Sequence, residues 1–227
     1  MVILLAIALL SGVLGEYTSK YGPVVGKCPM TPLVRNASQG VAHLENAYLY
    51  GRKEKTDKAL AAWLKKTNPA FKTTKLPTVA LAHSGGGYRA MLVGAGLVKG
   101  FDGRDSDVST SGLLQGMTYQ VGLSGGAWLL SGLIGNNYPT ISSIVEDHWK
   151  EALSDTALIP GNVFKAIGIY NNIHKDFHAK DIAGFQNTLV DLWGKLISYQ
   201  LLRGDRWAST LSDVTEYSSK FRSNDMP

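Results

Sequence analysis

In the run Gly122-Leu123-Ser124-Gly125-Gly126-Ala127-Trp128, glycines bracket one serine at G-x-S-x-G spacing. That spacing fits a sharp strand-to-helix turn, which lifts a serine hydroxyl above the end of a sheet and needs small residues where backbones cross. A chain with such a turn must place a strand before it and a helix after it, which points to an α/β arrangement. Ser124 is therefore the candidate nucleophile. The pattern is short, and Gly/Ser clusters also make ordinary loops, so the reading needs a second feature.

A second glycine turn lies upstream. Leu76-Pro77-Thr78-Val79-Ala80-Leu81-Ala82-His83 reads as a strand and runs into Ser84-Gly85-Gly86-Gly87-Tyr88-Arg89-Ala90-Met91-Leu92. Three consecutive glycines carry no β-carbons, so the backbone reaches conformations closed to other residues and turns its N–H groups toward a ligand atom. Ala90, Met91, Leu92, Val93, Ala95, Leu97 and Val98 then suit a buried helix whose positive N-terminal end faces the turn. Arg89 falls in the first turn of that helix, where a cation opposes the helix dipole. A phosphate-facing role accounts for it, since guanidinium pairs with phosphate oxygens in a two-pronged geometry; the alternative is a plain surface arginine.

Together, Ser84-Gly85-Gly86-Gly87-Tyr88-Arg89-Ala90-Met91 and Gly122-Leu123-Ser124-Gly125-Gly126 resemble the paired signature of the cytosolic phospholipase A2 catalytic domain, and within it the fungal lysophospholipase (phospholipase B) branch. Supporting segments are Cys28-Pro29 with Arg35 and Glu45, Ala62-Trp63-Leu64, and the run from Asp191 through Trp193 and Gln200 to Leu201. The resemblance covers nearly all of the chain after residue 15 and implies a patatin-like α/β fold with a central sheet flanked by helices. It also implies a serine/aspartate dyad without cofactor: Ser124 as nucleophile, Gly86 and Gly87 as oxyanion donors, and Arg89 on the head-group phosphate. In that family the dyad aspartate lies in a distal segment, past the point where this sequence stops at Met226-Pro227, and it maps onto no residue here. A serine hydroxyl is a weak nucleophile until a base takes its proton, so the chain is expected to be an incomplete copy with its turn unarmed. Asp102, Asp105, Asp107 and Asp147 read as solvated loop or helix-cap residues rather than as that base.

Residues 1–15 carry no charge and are dominated by aliphatic side chains. They read as a secretory signal peptide, with a buried N-terminal helix as the alternative, and leave 16–227 as the N-terminal part of the catalytic domain. They are too short for a comfortable membrane span, which takes about 20 apolar residues. A secretory route predicts a secreted or cell-surface protein, and Asn36-Ala37-Ser38 is then a glycosylation acceptor at Asn36. The chain has one cysteine, Cys28, which is either half of a disulfide with a residue elsewhere or a free buried thiol.

The formal net charge of +5 lies outside the first fifteen residues. It suits attraction to a lipid surface, while no nucleic-acid motif accompanies it and no obligate protein partner is evident. His174 and His178 stand one helical turn apart, but no third ligand completes a metal site, so none is expected.

Apolar spacing predicts helix across 37–66, with Leu44, Ala47, Tyr48, Leu60, Trp63 and Leu64 facing inward. Strands are predicted at 78–82 and 119–121, with helices from the first turn to about 100 and over 127–134. The stretch 138–202 reads as helices and loops whose Trp149, Phe164, Ile167, Ile169, Tyr170, Phe177, Phe185, Leu189, Trp193 and Ile197 supply core, with an acyl-chain funnel as the alternative for some of them.

Three functions follow. The leading one is a carboxylic-ester hydrolase acting on lysophospholipids or phospholipids at a membrane or micelle surface. The second is an α/β-hydrolase that uses Ser124 with His174 or His178 and Asp155. The third is a catalytically dead or incomplete product that binds lipid.

Overall fold

The computed structural model describes residues 21–204. The expected signal segment lies outside them.

A long first helix, α1 (His43–Thr67), precedes the sheet. It buries Thr56 and Leu60, and a β-carbon on Gly116 would meet Leu60 Cβ at 3.1 Å, so the 3-10 turn Leu114–Gly116 sits directly on this helix. The inward assignment fails for the N-terminal half of α1: Leu44 is 82% exposed, and Ala47 and Tyr48 are exposed too. Helical spacing marks a face, but only the part that meets the Leu114–Gly116 turn is covered.

The strands β1 (Ala80–His83) and β2 (Tyr119–Gly122) pair in parallel, Ala80 opposite Tyr119 and His83 opposite Gly122. Parallel neighbours need a crossover, and α2 (Gly87–Phe101) lies in it. Helix α3 (Gly125–Gly135) follows β2 and packs on α2 and on both strands. It begins two residues earlier than expected, because Gly125 and Gly126 are already helical. Helix α2 is not buried all round: Met91, Gly94, Ala95 and Val98 face the core, whereas Leu92, Val93 and Leu97 are at least half exposed.

A further helical run follows, named α4 here: Ile141–Ile144, a π-helical segment Val145–Trp149, then Lys150–Ala152. It brings Ile141, Ile144 and Trp149 into the main core with Leu129, Leu133 and Tyr138. Helix α5 (Val163–Ile182) is N-capped by Asn162, and α6 (Leu189–Leu201) opens with a capping box in which Thr188 and Asp191 satisfy each other's backbone N–H. Lys180, Tyr21 and Thr188 all donate to the Asp191 carboxylate and hold it well below the usual carboxylate range. The C-terminal end of α6 is tied to both α3 and α4: Asn136 Nδ2 at the end of α3 and Trp149 Nε1 on α4 donate to the Leu201 carbonyl, at 2.8 and 3.1 Å.

Several aromatic and aliphatic residues expected inside this region lie outside it. Phe164 and Leu189 are 85% and 80% exposed, and Ile167, Phe185 and Trp193 are also exposed, while Trp149, Ile169 and Ile197 are buried as expected. The architecture is a small parallel sheet flanked by helices, in agreement with the α/β expectation. Among the described residues no helix is long and apolar enough to cross a membrane.

Candidate active site

Because His83 and Gly122 pair, β1 and β2 end level, and the turns that follow them leave from the same edge of the sheet. The backbones are held together directly. Leu123 N–H donates to the His83 carbonyl at 3.0 Å, which continues the ladder one residue past β2. A β-carbon on Gly126 would lie 2.5 Å from the His83 carbonyl oxygen, and one on Gly122 would lie 2.6 Å from the Gly126 carbonyl oxygen. Both are shorter than real contacts, so the glycines here are required by close approach.

Ser124 is the N-cap of α3 and takes φ 51° and ψ −118°. A residue with a side chain rarely adopts a left-handed φ, and the strain costs about 1–3 kcal/mol. The Ser124 carbonyl accepts from Trp128 N–H at 3.0 Å, so the strained residue is locked into the first helical turn. Its side chain is exposed at the edge of the sheet. The first glycine turn runs past it: a β-carbon on Gly85 would come within 3.0 Å of Ser124 Cβ and 3.6 Å of Ser124 Oγ. Gly86 and Gly87 have φ of 138° and 61°, which side-chain-bearing residues rarely take. Among the described residues neither of their N–H groups donates to a backbone carbonyl outside the helix, as expected for the unsatisfied first turn of α2. Two helix N-termini thus point their partial positive charge toward one exposed hydroxyl.

Arg89 lies on the exposed side of the first turn of α2. Beneath the turns, His83 is 7% exposed, and burial pushes its imidazole below the ordinary histidine range. The Gln120 side chain beside it partly opposes that shift, and Gly94 leaves room for its Nδ1, which a β-carbon there would approach to 3.3 Å.

Ser124 Oγ makes no hydrogen bond among the described residues. The histidines offered as an alternative base, His174 and His178, stand exposed on α5, and Asp155 accepts from Gly161 N–H at 2.9 Å; none of them is joined to Ser124. Of the nearby aspartates, Asp102 is not solvated as expected but 1% exposed. It caps α2, and Arg104 Nη2 and Gln115 Nε2 both donate to it at 2.7 Å. Burial alone raises its carboxyl, but the hydrogen bonds from Arg104 and Gln115 outweigh this and hold it below the usual range. Asp105 accepts from Ser142 N–H, and Asp147 accepts from the Ser143 hydroxyl and pairs with Arg203. These groups hold the local structure around them: Asp102 the end of α2 and its loop, Asp105 the start of α4, and Asp147 the body of α4.

Asn36 is exposed and caps the 3-10 turn Ala37–Gln39, its Oδ1 accepting from Ser38 N–H at 3.0 Å. Cys28 is free and exposed, which overturns the buried-thiol alternative. Among the described residues no cluster of three or more metal-ligating side chains occurs.

Three residues that received no role from the sequence also touch the site: Tyr88, Trp128 and Gln200. The first two flank the glycine motifs; Gln200 lies 112 positions from Tyr88, whose hydroxyl donates to its Oε1, and no local pattern marks it.

The family model described as the lysophospholipase catalytic domain matches residues 79–227. A lysophospholipase of Arthroderma benhamiae is 35% identical over 237 residues, covering 91% of this chain and 36% of its own length. Lysophospholipase 3 of Candida albicans is 35% identical, covering 96% of this chain and 32% of its own. Lysophospholipase 2 of Saccharomyces cerevisiae is 37% identical, covering 79% and 28%. The chain thus spans about a third of the length of these relatives. Among solved structures, human GIVD cytosolic phospholipase A2 superposes with a TM-score of 0.54 at 23% identity, over 72% of this chain and 21% of that one, and shares its fold.

Proposed function

Because this chain belongs to the lysophospholipase catalytic-domain family, we propose that it carries the nucleophile and the oxyanion donors of a carboxylic-ester hydrolase that removes the fatty-acyl group from lysophospholipids. The observation that carries this reading is the level ending of β1 and β2, which sets the strained Ser124 beside the Gly85–Gly87 backbone.

In the proposed reaction Ser124 Oγ attacks the acyl carbonyl carbon, and its proton passes to a base. The carbonyl oxygen becomes an oxyanion held by the Gly86 and Gly87 N–H groups at the N-terminus of α2. Collapse of the tetrahedral species expels the lysophospholipid's glycerol oxygen, which takes up a proton, and leaves an acyl-enzyme on Ser124. Water then attacks the acyl-enzyme and releases the fatty acid. We assign the base to an aspartate outside residues 21–204, since no described group reaches Ser124 Oγ. Arg89 extends from the first turn of α2 beside the donors and holds the head-group phosphate. Diacyl phospholipids are a second substrate class for the same site.

The apolar residues 1–15 and the exposed acceptor Asn36 support secretion and glycosylation, with the protein acting at the outer cell surface on lipid presented in a membrane or micelle.

The test is fatty-acid release from lysophosphatidylcholine by this chain, by the product of the full open reading frame and by the Ser124→Ala variant of that product. The reading requires activity in the full product and its loss in Ser124→Ala. Unchanged turnover after that substitution removes Ser124 as nucleophile.

A further inference from the structure

The donor turn is held by more than its glycines. Tyr88 follows Gly87 directly, so its placement sets that of the first turn of α2. Its ring lies against Trp128, with centroids 5.2 Å apart and planes tilted by 57°. The backbone N–H of Trp128 donates to the Ser124 carbonyl at 3.0 Å in the first turn of α3, and its ring atom Cζ3 stands 4.0 Å from where a Gly87 β-carbon would be. The aromatic pair therefore bridges the first turns of α2 and α3, the helices that follow the two glycine turns.

The tip of Tyr88 is fixed from a third element. Gln200, on the last turn of α6, is 2% exposed. Its Nε2 donates to the carbonyls of Ala152 and Asp155 at 3.1 and 3.2 Å, and its Oε1 accepts from the Tyr88 hydroxyl. Carbonyl oxygens only accept, so the NH2 end of the amide must face them and the oxygen must face Tyr88. Turned over, the amide would set its oxygen against two carbonyl oxygens, so its orientation is fixed. The acceptor offered to Tyr88 is thus fixed in direction by the loop after α4.

We propose that Gln200 and Tyr88 are positioning residues of the acyl-transfer site: the loop after α4 orients Gln200, Gln200 anchors Tyr88, and Tyr88 with Trp128 sets the Gly86 and Gly87 N–H groups relative to Ser124. The proposal rests on the hydrolase reading above. Neither residue touches the acyl group. Their effect falls on the step in which the oxyanion forms, where small displacements of donors are expensive.

The experiment uses the full-length protein and a double-substitution cycle of Tyr88→Phe and Gln200→Leu. Tyr88→Phe keeps the ring on Trp128 and deletes only the hydroxyl, so it folds even where Gln200→Leu does not. Each single variant is expected to lower kcat on lysophosphatidylcholine about tenfold while KM stays within about twofold. The double variant is expected to be no worse than the more impaired single one. The rate at which a fluorophosphonate labels Ser124 should fall in parallel with kcat, because that reaction uses the same donors. Wild-type kcat and labelling rate in Tyr88→Phe overturn the proposal, as does a loss of kcat that only tracks a lowered Tm. A wild-type protein that neither hydrolyses the lipid nor labels at Ser124 removes the hydrolase reading itself, and this inference with it.

Discussion

Gly125 lies against Gly87 so closely that a β-carbon at position 125 would stand 2.1 Å from the Gly87 carbonyl oxygen. The two glycine turns are therefore in backbone contact, and no side-chain rotation can relieve an added methyl. Gly125→Ala is expected to cost about 3 kcal/mol of stability, the upper end for overpacking. By pushing the donors from Ser124 it should also lower kcat about 10²-fold or more. Urea unfolding and lysophosphatidylcholine turnover measured on one preparation check both.

Ser124 pays for its exposure in backbone strain, with φ 51°. Ser124→Gly is expected to raise stability by about 1 kcal/mol, because glycine takes that conformation freely, while activity is lost. Ser124→Ala should abolish activity without the gain. Chemical denaturation of the three proteins side by side separates strain from chemistry, and equal stabilities would show that the turn is not strained.

Arg89, exposed at the start of α2, is assigned to the phosphate. Arg89→Ala is expected to lower kcat/KM on lysophosphatidylcholine about tenfold or more, in line with the loss of one charge-assisted hydrogen bond. The same variant should leave hydrolysis of a monoacylglycerol with the same acyl chain nearly unchanged. Equal losses on both substrates argue against phosphate recognition.

The Asp102 carboxyl is held below its ordinary range in the folded protein by Arg104 and Gln115, which together outweigh burial. Its contribution to stability is therefore fully present above the unfolded carboxylate pKa of about 3.9 and is lost as pH falls through the lower folded value. Asp102→Asn should flatten the acid side of the stability profile. Asp102→Ala, which strands Arg104 and Gln115, should cost about 3 kcal/mol at neutral pH. Thermal melts between pH 3 and pH 7 read both effects.

His83 and His148 run the other way. Burial lowers both imidazoles, and the Arg203 charge adds to the effect at His148. The unfolded chain takes up protons that the folded one refuses, so stability is greatest above the unfolded histidine pKa of about 6.5 and declines as pH falls through it. Tm is expected to fall between pH 7.5 and pH 5.5, and His83→Gln and His148→Gln should each remove part of the slope.

The two turns were legible in the sequence because glycine is demanded by the backbone: Gly86 and Gly87 take positive φ, and Gly122, Gly125 and Gly126 stand where no β-carbon fits. The flanking strands were placed to within a residue or two, since short apolar runs before such turns have few alternatives. Burial was less legible. Helical spacing marked Leu44 as core, and apolar bulk marked Phe164 and Leu189, yet whether a side chain is covered depends on a neighbour that local pattern does not name. The same limit hid Asp102, an acid that reads as solvated until Arg104 and Gln115 close on it. It also hid Gln200, whose partner Tyr88 is distant in sequence and close only through the packing of α6.

The pairing of His83 with Gly122 sets the spacing of the two half-sites by strand hydrogen bonds. The chain between Phe101 and Tyr119 delivers β2 to that register: Asp102 holds its loop, and Thr118 N–H reaches the Val79 carbonyl, at 2.8 Å, where the ladder begins. That stretch enters the sheet at the end away from Ser124 and carries Leu114 and Met117 into the core, so substitutions there would be felt as lost stability rather than as a shift of Ser124 against the Gly85–Gly87 turn.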